Sequence, residues 1–182
     1  MVELSKLNAA KEGVSGKASF MKADIFESDF SQATVITMYL LPQLNVKLRP
    51  KILNLKPGTR IISHAFTMEE WTAAQTDSFD GRMAYLWIVP AKVAGTWRLP
   101  QGELTLKQNF QMIAGTLKTG GNTLTVANGR LNGDRINFSA GDAEYAGRVN
   151  GNTIQGTVKG GSSGSWSATR VGTSSAAAPA KY

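Results

Sequence analysis

The chain has 182 residues, with 20 Lys+Arg against 13 Asp+Glu, 19 glycines, one histidine and no cysteine. That length suits one or two small domains, and a hydrophobic content of 42% is enough for a real core. Zero cysteines exclude disulfides, thiolate metal sites and a cysteine nucleophile; with a single histidine, neither a zinc cluster nor a His-based triad is expected, so no metal site is assigned.

No run reaches the eighteen or so apolar residues of a membrane-spanning helix, and the N-terminal Met-Val-Glu-Leu-Ser-Lys reads as an amphipathic helix, not a secretion signal. The average composition hides two halves. Four glycines fall between Met1 and Ala94 and fifteen between Gly95 and Gly172. The first stretch has 11 basic and 9 acidic residues, the remainder 9 and 4. Such a break implies two modules joined near Val93 to Trp97, giving a domain over 1–94, a second over 95–171 and a tail over 172–182.

In chain order, Val2 to Glu12 carries apolar residues near helical spacing and stops at Gly13. Lys17 to Asp24 reads as a short strand ending in an acid. Ala33 to Leu41 is a nearly unbroken apolar run rich in β-branched residues, as expected of a strand covered on both faces. Pro42 suits the first turn of the next helix, whose apolar positions run from Leu44 to Leu55; Pro50 should kink or split it. Thr59 to Phe66 and Arg82 to Val89 read as two further buried strands. This alternation predicts an α/β module with a parallel sheet, in which ligands sit beyond the carboxyl ends of the strands, near Asp24, Tyr39 to Leu41 and His64 to Thr67.

From Gly95 the pattern changes to short apolar/polar alternations broken by turn dipeptides about every ten residues. Glu103–Gln108, Phe110–Leu117, Asn122–Ala127, Arg135–Ser139, Ala143–Val149, Thr153–Val158 and Gly164–Val171 each read as strands. Asn128-Gly129, Asn132-Gly133, Asn150-Gly151 and Gly120-Gly121 read as hairpin turns. Six or seven strands of this kind predict an antiparallel meander closed as a small barrel or packed as a sandwich. Gly172 to Tyr182 is a low-complexity segment expected to be disordered.

One resemblance is specific. Tyr39-Leu40-Leu41-Pro42, Leu48-Arg49-Pro50, Leu55-Lys56-Pro57-Gly58-Thr59-Arg60, Ser63-His64 and Tyr85-Leu86-Trp87-Ile88-Val89-Pro90-Ala91 together resemble a bacterial group of class I S-adenosylmethionine-dependent methyltransferases. The likeness covers roughly Met1 to Trp97. It implies a partial Rossmann-like sheet, S-adenosylmethionine as the cofactor of the intact parent, and methyl transfer to an acceptor that the residues do not define. Related enzymes suggest a protein lysine. The likeness also implies that Asp24 and Ile25 contact the adenine, the acid accepting from the exocyclic amine and the apolar side chain packing on the ring. A turn acid is the plainer reading of Asp24. No glycine-rich cofactor loop occurs in residues 1–94, and Glu3 sits too close to Gly13 to be the ribose acid. The chain therefore reads as an N-terminally truncated methyltransferase with weak or no activity, whose sheet edge is open to self-association.

Two residues are candidate catalytic groups. Tyr39 stands at a strand end where such enzymes hold substrate, though packing would explain it equally. His64, at another strand end, could act as a general base, with a structural hydrogen-bonded histidine as the plainer reading. The alternative function is a non-catalytic binding module using the basic β domain. Its basic residues, among them Arg98, Arg130, Arg135, Arg148, Lys159 and Arg170, are scattered singly, so nucleic acid is not an expected partner. The compartment is expected to be cytoplasmic, or periplasmic if an export signal precedes this sequence.

Overall fold

The computed structural model describes residues 1–161 and 163–172. The expected disordered tail lies outside the described residues except for Gly172. Contacts divide the chain into Met1–Ser31 and a second unit beginning at Gln32.

In the first unit, α1 (Val2–Lys11) ends on Glu12 and the positive-φ Gly13, as the sequence predicts. The strand expected at Lys17–Asp24 does not form. Those residues run through a turn and then irregular chain that pairs with no strand among the described residues. A strand needs a neighbour to take its N–H and C=O groups, and apolar content alone does not supply one.

The second unit opens with a four-stranded sheet. Its strands are β1 (Val35–Met38), β2 (Arg60–His64), β3 (Gln75–Phe79) and β4 (Arg82–Ile88), in the order β1-β2-β4-β3. β1 and β2 are parallel, in register Val35↔Arg60 to Met38↔Ser63. β2–β4 and β3–β4 are antiparallel, so the expected parallel sheet is realised only in its first pair. β3 carries no apolar pattern that would mark it in the sequence, because all five of its residues are exposed and only Phe79 is apolar. Nor is β1 covered on both faces: Val35 and Thr37 are exposed and only Met38 is buried. Its apolar run marks an edge strand with β2 as its partner.

Between β1 and β2 lies α2 (Pro42–Ile52), which buries Leu48 and Ile52 together with Asn45 and Arg49. Pro50 does not split it. The helix ends two residues later, so the one amide bond proline removes falls in the final turn, where the loss is small.

The remaining strands are β5 (Gly95–Leu99), β6 (Gly102–Asn109), β7 (Met112–Thr119), β8 (Asn122–Asn132), β9 (Arg135–Ala140), β10 (Ala143–Asn150), β11 (Thr153–Lys159) and β12 (Gly164–Arg170). They form a closed barrel in sequence order, sealed by β12 pairing with β5. This settles the choice between barrel and sandwich. The pairs Leu99↔Gly102, Asn109↔Met112, Thr119↔Asn122, Asn132↔Arg135, Ala140↔Ala143 and Asn150↔Thr153 each close a two-residue loop, which accounts for the turn spacing of the sequence.

Two expectations are corrected. β5 is no mere joint between modules: its Trp97 is fully buried and it supplies the closing strand. Asn128-Gly129 is not a hairpin; it is a bulge inside β8, where the register to β9 shifts between Ala127 and Arg130 and Asn128 has φ 53°. The barrel interior is filled by Trp97, Leu104, Leu117, Ile136, Ile154 and their neighbours.

Candidate functional site

The parallel pairing of β1 and β2 decides what meets at their carboxyl ends. Since Met38 lies opposite Ser63, the next residue of each strand extends the match, and Tyr39 reaches His64. The two rings stand 5.0 Å apart between centroids at 54°. Tyr39 is 81% exposed. His64 is half-buried, and its Nδ1 is buried with no hydrogen-bond partner among the described residues. The structural hydrogen bond that would make this histidine ordinary is therefore not made at Nδ1.

Immediately after His64 the backbone reverses. Ala65 has φ 64°, and Phe66 N–H donates to the His64 carbonyl at 2.8 Å, closing a three-residue turn. A non-glycine residue in this region is strained and persists only where its surroundings fix it. Here Ala65 N–H donates to the Met83 carbonyl at 2.8 Å, anchoring the turn to β4.

The first turns of α2 supply a third group that sequence reasoning missed. Asn45 is fully buried; its Nδ2 donates to Ser63 Oγ at 3.0 Å and approaches the Phe66 and Thr67 carbonyls at 3.4 Å. Four residues on, Arg49 donates to the Met68 carbonyl at 2.8 Å and to Glu70 Oε2 at 2.7 Å. The Arg49 side chain is buried and Glu70 is largely exposed. The hydrogen bond from Arg49 holds the Glu70 carboxyl below its usual range. The helix thus ties down the segment after His64 at both ends. The available signal was two polar residues, at i and i+4, on the stripe that also carries Leu48 and Ile52.

Asp24 and Ile25 lie in the first unit. Asp24 Oδ1 accepts the Phe26 N–H at 2.8 Å, and its carbonyl accepts from the Ser28 amide and hydroxyl. This is an Asx turn, the role that turn acids commonly take. Ile25 is 40% exposed beside it. Glu3 pairs with Lys6 at 2.9 Å on the exposed side of α1, in keeping with an ordinary helical residue. The aromatics Trp71 and Trp87 are core: both are fully buried, and Trp87 Nε1 donates to the Trp71 carbonyl at 2.6 Å.

Residues 1–75 match the family model described as the ANTKMT methyltransferase domain. The chain is 44% identical over 87 residues to a protein-lysine N-methyltransferase of Saccharolobus islandicus, covering 45% of this chain and 54% of that protein. It is 32% identical over 73 residues to a human lysine N-methyltransferase named for a subunit of ATP synthase, covering 40% of this chain and 31% of that protein. The rat counterpart is 31% identical over 77 residues. Among solved structures, an RNA methyltransferase from Salinibacter ruber in complex with S-adenosyl-L-homocysteine is 41% identical, with a TM-score of 0.49, covering 50% of this chain and 61% of that one. The chain thus spans about half the length of the archaeal relative, and its likeness to methyltransferases lies in the part that precedes the barrel.

Proposed function

We propose that residues 1–94 are part of an S-adenosylmethionine-dependent methyltransferase domain, Rossmann-like in its β1–α2–β2 unit, that acts on a protein lysine. The observation that carries this reading is the Tyr39–His64 pair at the carboxyl edge of two parallel strands, in a segment similar to protein-lysine N-methyltransferases. Ligands of open α/β sheets sit at that edge.

The cofactor supplies a methyl carbon made electrophilic by a positively charged sulfur. For that group the residues present fit in part: the Asx turn uses Asp24 Oδ1 and leaves the second carboxylate oxygen for an exocyclic amine, with the exposed Ile25 side chain beside it to cover a ring. The chain's own work is positioning and deprotonation, because direct displacement needs little else. A lysine ammonium must lose a proton before its nitrogen can attack. In this reading the imidazole of His64 takes that proton and passes it to water. Tyr39 offers its exposed ring and hydroxyl to the lysine chain.

Methyl transfer from labelled donor to a lysine peptide tests this directly. His64→Ala should lower the rate by about ten- to a thousandfold, in the range of a lost general base. Tyr39→Phe should raise KM more than it lowers kcat. Equal activity of wild type and His64→Ala would remove the histidine from the mechanism. The exposed edge of β1 also supports association of two copies through that edge. Sedimentation should then show dimers that Val35→Lys converts to monomers, and a wild type that is monomeric at all concentrations would reject that association.

The polyanion-binding alternative finds no support in the barrel's charges. Arg170 stacks over Trp97 at 4.2 Å and donates to the Ala94 and Lys92 carbonyls, and Arg148 pairs with Asp134 at 3.3 Å.

A further inference from the structure

The two ends of the barrel differ. At one end the Phe110-Gln111 and Gly133-Asp134 loops lie against the sheet: Gln111 Nε2 donates to the Thr72 carbonyl at 2.9 Å, and Ala91 N–H donates to the Gly133 carbonyl at 2.8 Å. The opposite end carries the Pro100-Gln101, Gly120-Gly121 and Gly141-Asp142 loops, and it opens into a cavity of about 800 Å³. The fully buried Trp97, Leu104, Ile136 and Ile154 fill the interior, so the cavity is a cup and not a channel.

Its walls have a distinct chemistry. Leu99, Leu117 and Val158 give it aliphatic surface, and Tyr145 and Trp166 give it aromatic surface. Tyr145 stacks on the buried Phe138 at 4.7 Å and 3°, while Trp166 meets both rings edge-on. The cluster is therefore rigid. The Trp166 indole N–H is already spent on the Ala146 carbonyl at 3.0 Å, so this residue offers only carbon to the cup. Polar groups come from Gln101, Thr119, Gln155, the serines at 163, 165 and 167, and the Tyr145 hydroxyl, for which no hydrogen bond is seen among the described residues.

Among the described residues, no lysine, arginine, aspartate or glutamate lines the cavity, although the chain carries a net charge of +7. The charges nearest the mouth are Asp142, on the Gly141-Asp142 loop, and two outward cross-strand pairs, Glu103 against Lys118 and Glu144 against Lys159. An anion entering the cup would lose water and meet no counter-charge, a cost that a neutral molecule avoids. A cavity of this size, whose lining sets aliphatic and aromatic side chains beside a comparable share of polar surface, is that of a small-molecule site.

We propose that the open mouth of the barrel binds an uncharged, ring-bearing small molecule carrying one or two hydroxyl or carbonyl groups. Its rings lie against Tyr145, Trp166 and the aliphatic wall, and its polar groups reach Gln101, Thr119 and the tyrosine hydroxyl. The proposal does not depend on methyl transfer.

The test is a fluorescence titration of the full chain with two dyes of related ring systems. One is neutral N-phenyl-1-naphthylamine and the other is anionic 1-anilinonaphthalene-8-sulfonate. The neutral dye should bind saturably at one site, quench tryptophan emission, and bind at least about tenfold more tightly than the sulfonate. Ala143→Phe and Thr119→Trp each fill the mouth and should each weaken neutral-dye binding at least about tenfold, with circular dichroism checking that the barrel is intact. Phe79→Ser, which removes an exposed apolar side chain from β3, should leave binding unchanged. Absence of saturable binding, equal binding of both dyes, or full binding by a folded mouth-filled variant would overturn the proposal.

Discussion

Arg49 shows how much a single side chain can hold. It is buried on α2, donates to the Met68 carbonyl, pairs with Glu70 and lies over the Phe110 ring at 5.3 Å. Arg49→Ala would leave the Met68 carbonyl without its donor and Phe110 without its cation, and should destabilise the fold by about 2–4 kcal/mol in urea denaturation. Glu70 is a different case, because it is largely exposed. Its carboxyl is depressed by Arg49, so its stabilising effect is present above the ordinary carboxylate range and is lost as pH falls through the lowered folded value. The melting-temperature gap between wild type and Glu70→Gln should therefore be open at neutral pH and close well below about pH 4. A gap that does not change with pH would show that the ion pair is not its source. Of the residues at this edge, Tyr39 and His64 were legible as strand-end groups, because a parallel pair puts both ends together. Asn45 and Ser63 were not. Their hydrogen bond joins residues eighteen apart in sequence, and no local spacing marks it.

At the scale of elements, the β half was legible for a physical reason. An up-and-down meander with two-residue loops repeats the same local decision, alternation followed by turn, and each repeat is written in adjacent residues. What failed was also local. Asn128-Gly129 has the composition of a hairpin turn but sits within an eleven-residue strand. There a Cβ on Gly129 would stand 2.3 Å from the Ile113 carbonyl oxygen. Gly151 is the opposite case, a true hairpin glycine with φ 57° and open space where a Cβ would go. Gly129→Ala should therefore cost about 2–4 kcal/mol through backbone displacement, whereas Gly151→Ala should cost only about 1–2 kcal/mol for a left-handed conformation. Chemical denaturation of the two variants checks the order, and a costlier Gly151→Ala would reverse the assignment of turn and bulge. In the α/β half, apolar runs located β1, β2 and β4 but exaggerated their burial. Hydrophobicity reports what a strand could cover and does not name the layer that covers it.

At the scale of the whole molecule from Gln32 onward, the β6–β7 hairpin is one of two barrel loops that meet the sheet side, the other being the Gly133-Asp134 loop. Phe110, at the tip of the β6–β7 loop with φ 51°, stacks on Trp71 at 5.8 Å and 11°. Its neighbour Gln111 is hydrogen-bonded to Thr72 and accepts the Leu131 N–H through its carbonyl. Such a joint couples two cores that each have their own apolar interior. Phe110→Ala should remove about 3–5 kcal/mol, and scanning calorimetry should then resolve two transitions where the wild type shows one. A single, uniformly lowered transition would mean that the sheet and barrel fold as one body without this contact. No part of this joint was visible in composition, which recorded a break in glycine content but not the contacts made across it.

The central claim, that the segment before the barrel carries a methyl-donor and lysine site, is most directly tested by amide-detected NMR of the full chain titrated with S-adenosylmethionine. The account predicts saturable shifts at Asp24 and Ile25, lost in Asp24→Ala. An unchanged spectrum at millimolar donor, or shifts identical in wild type and Asp24→Ala, would contradict it.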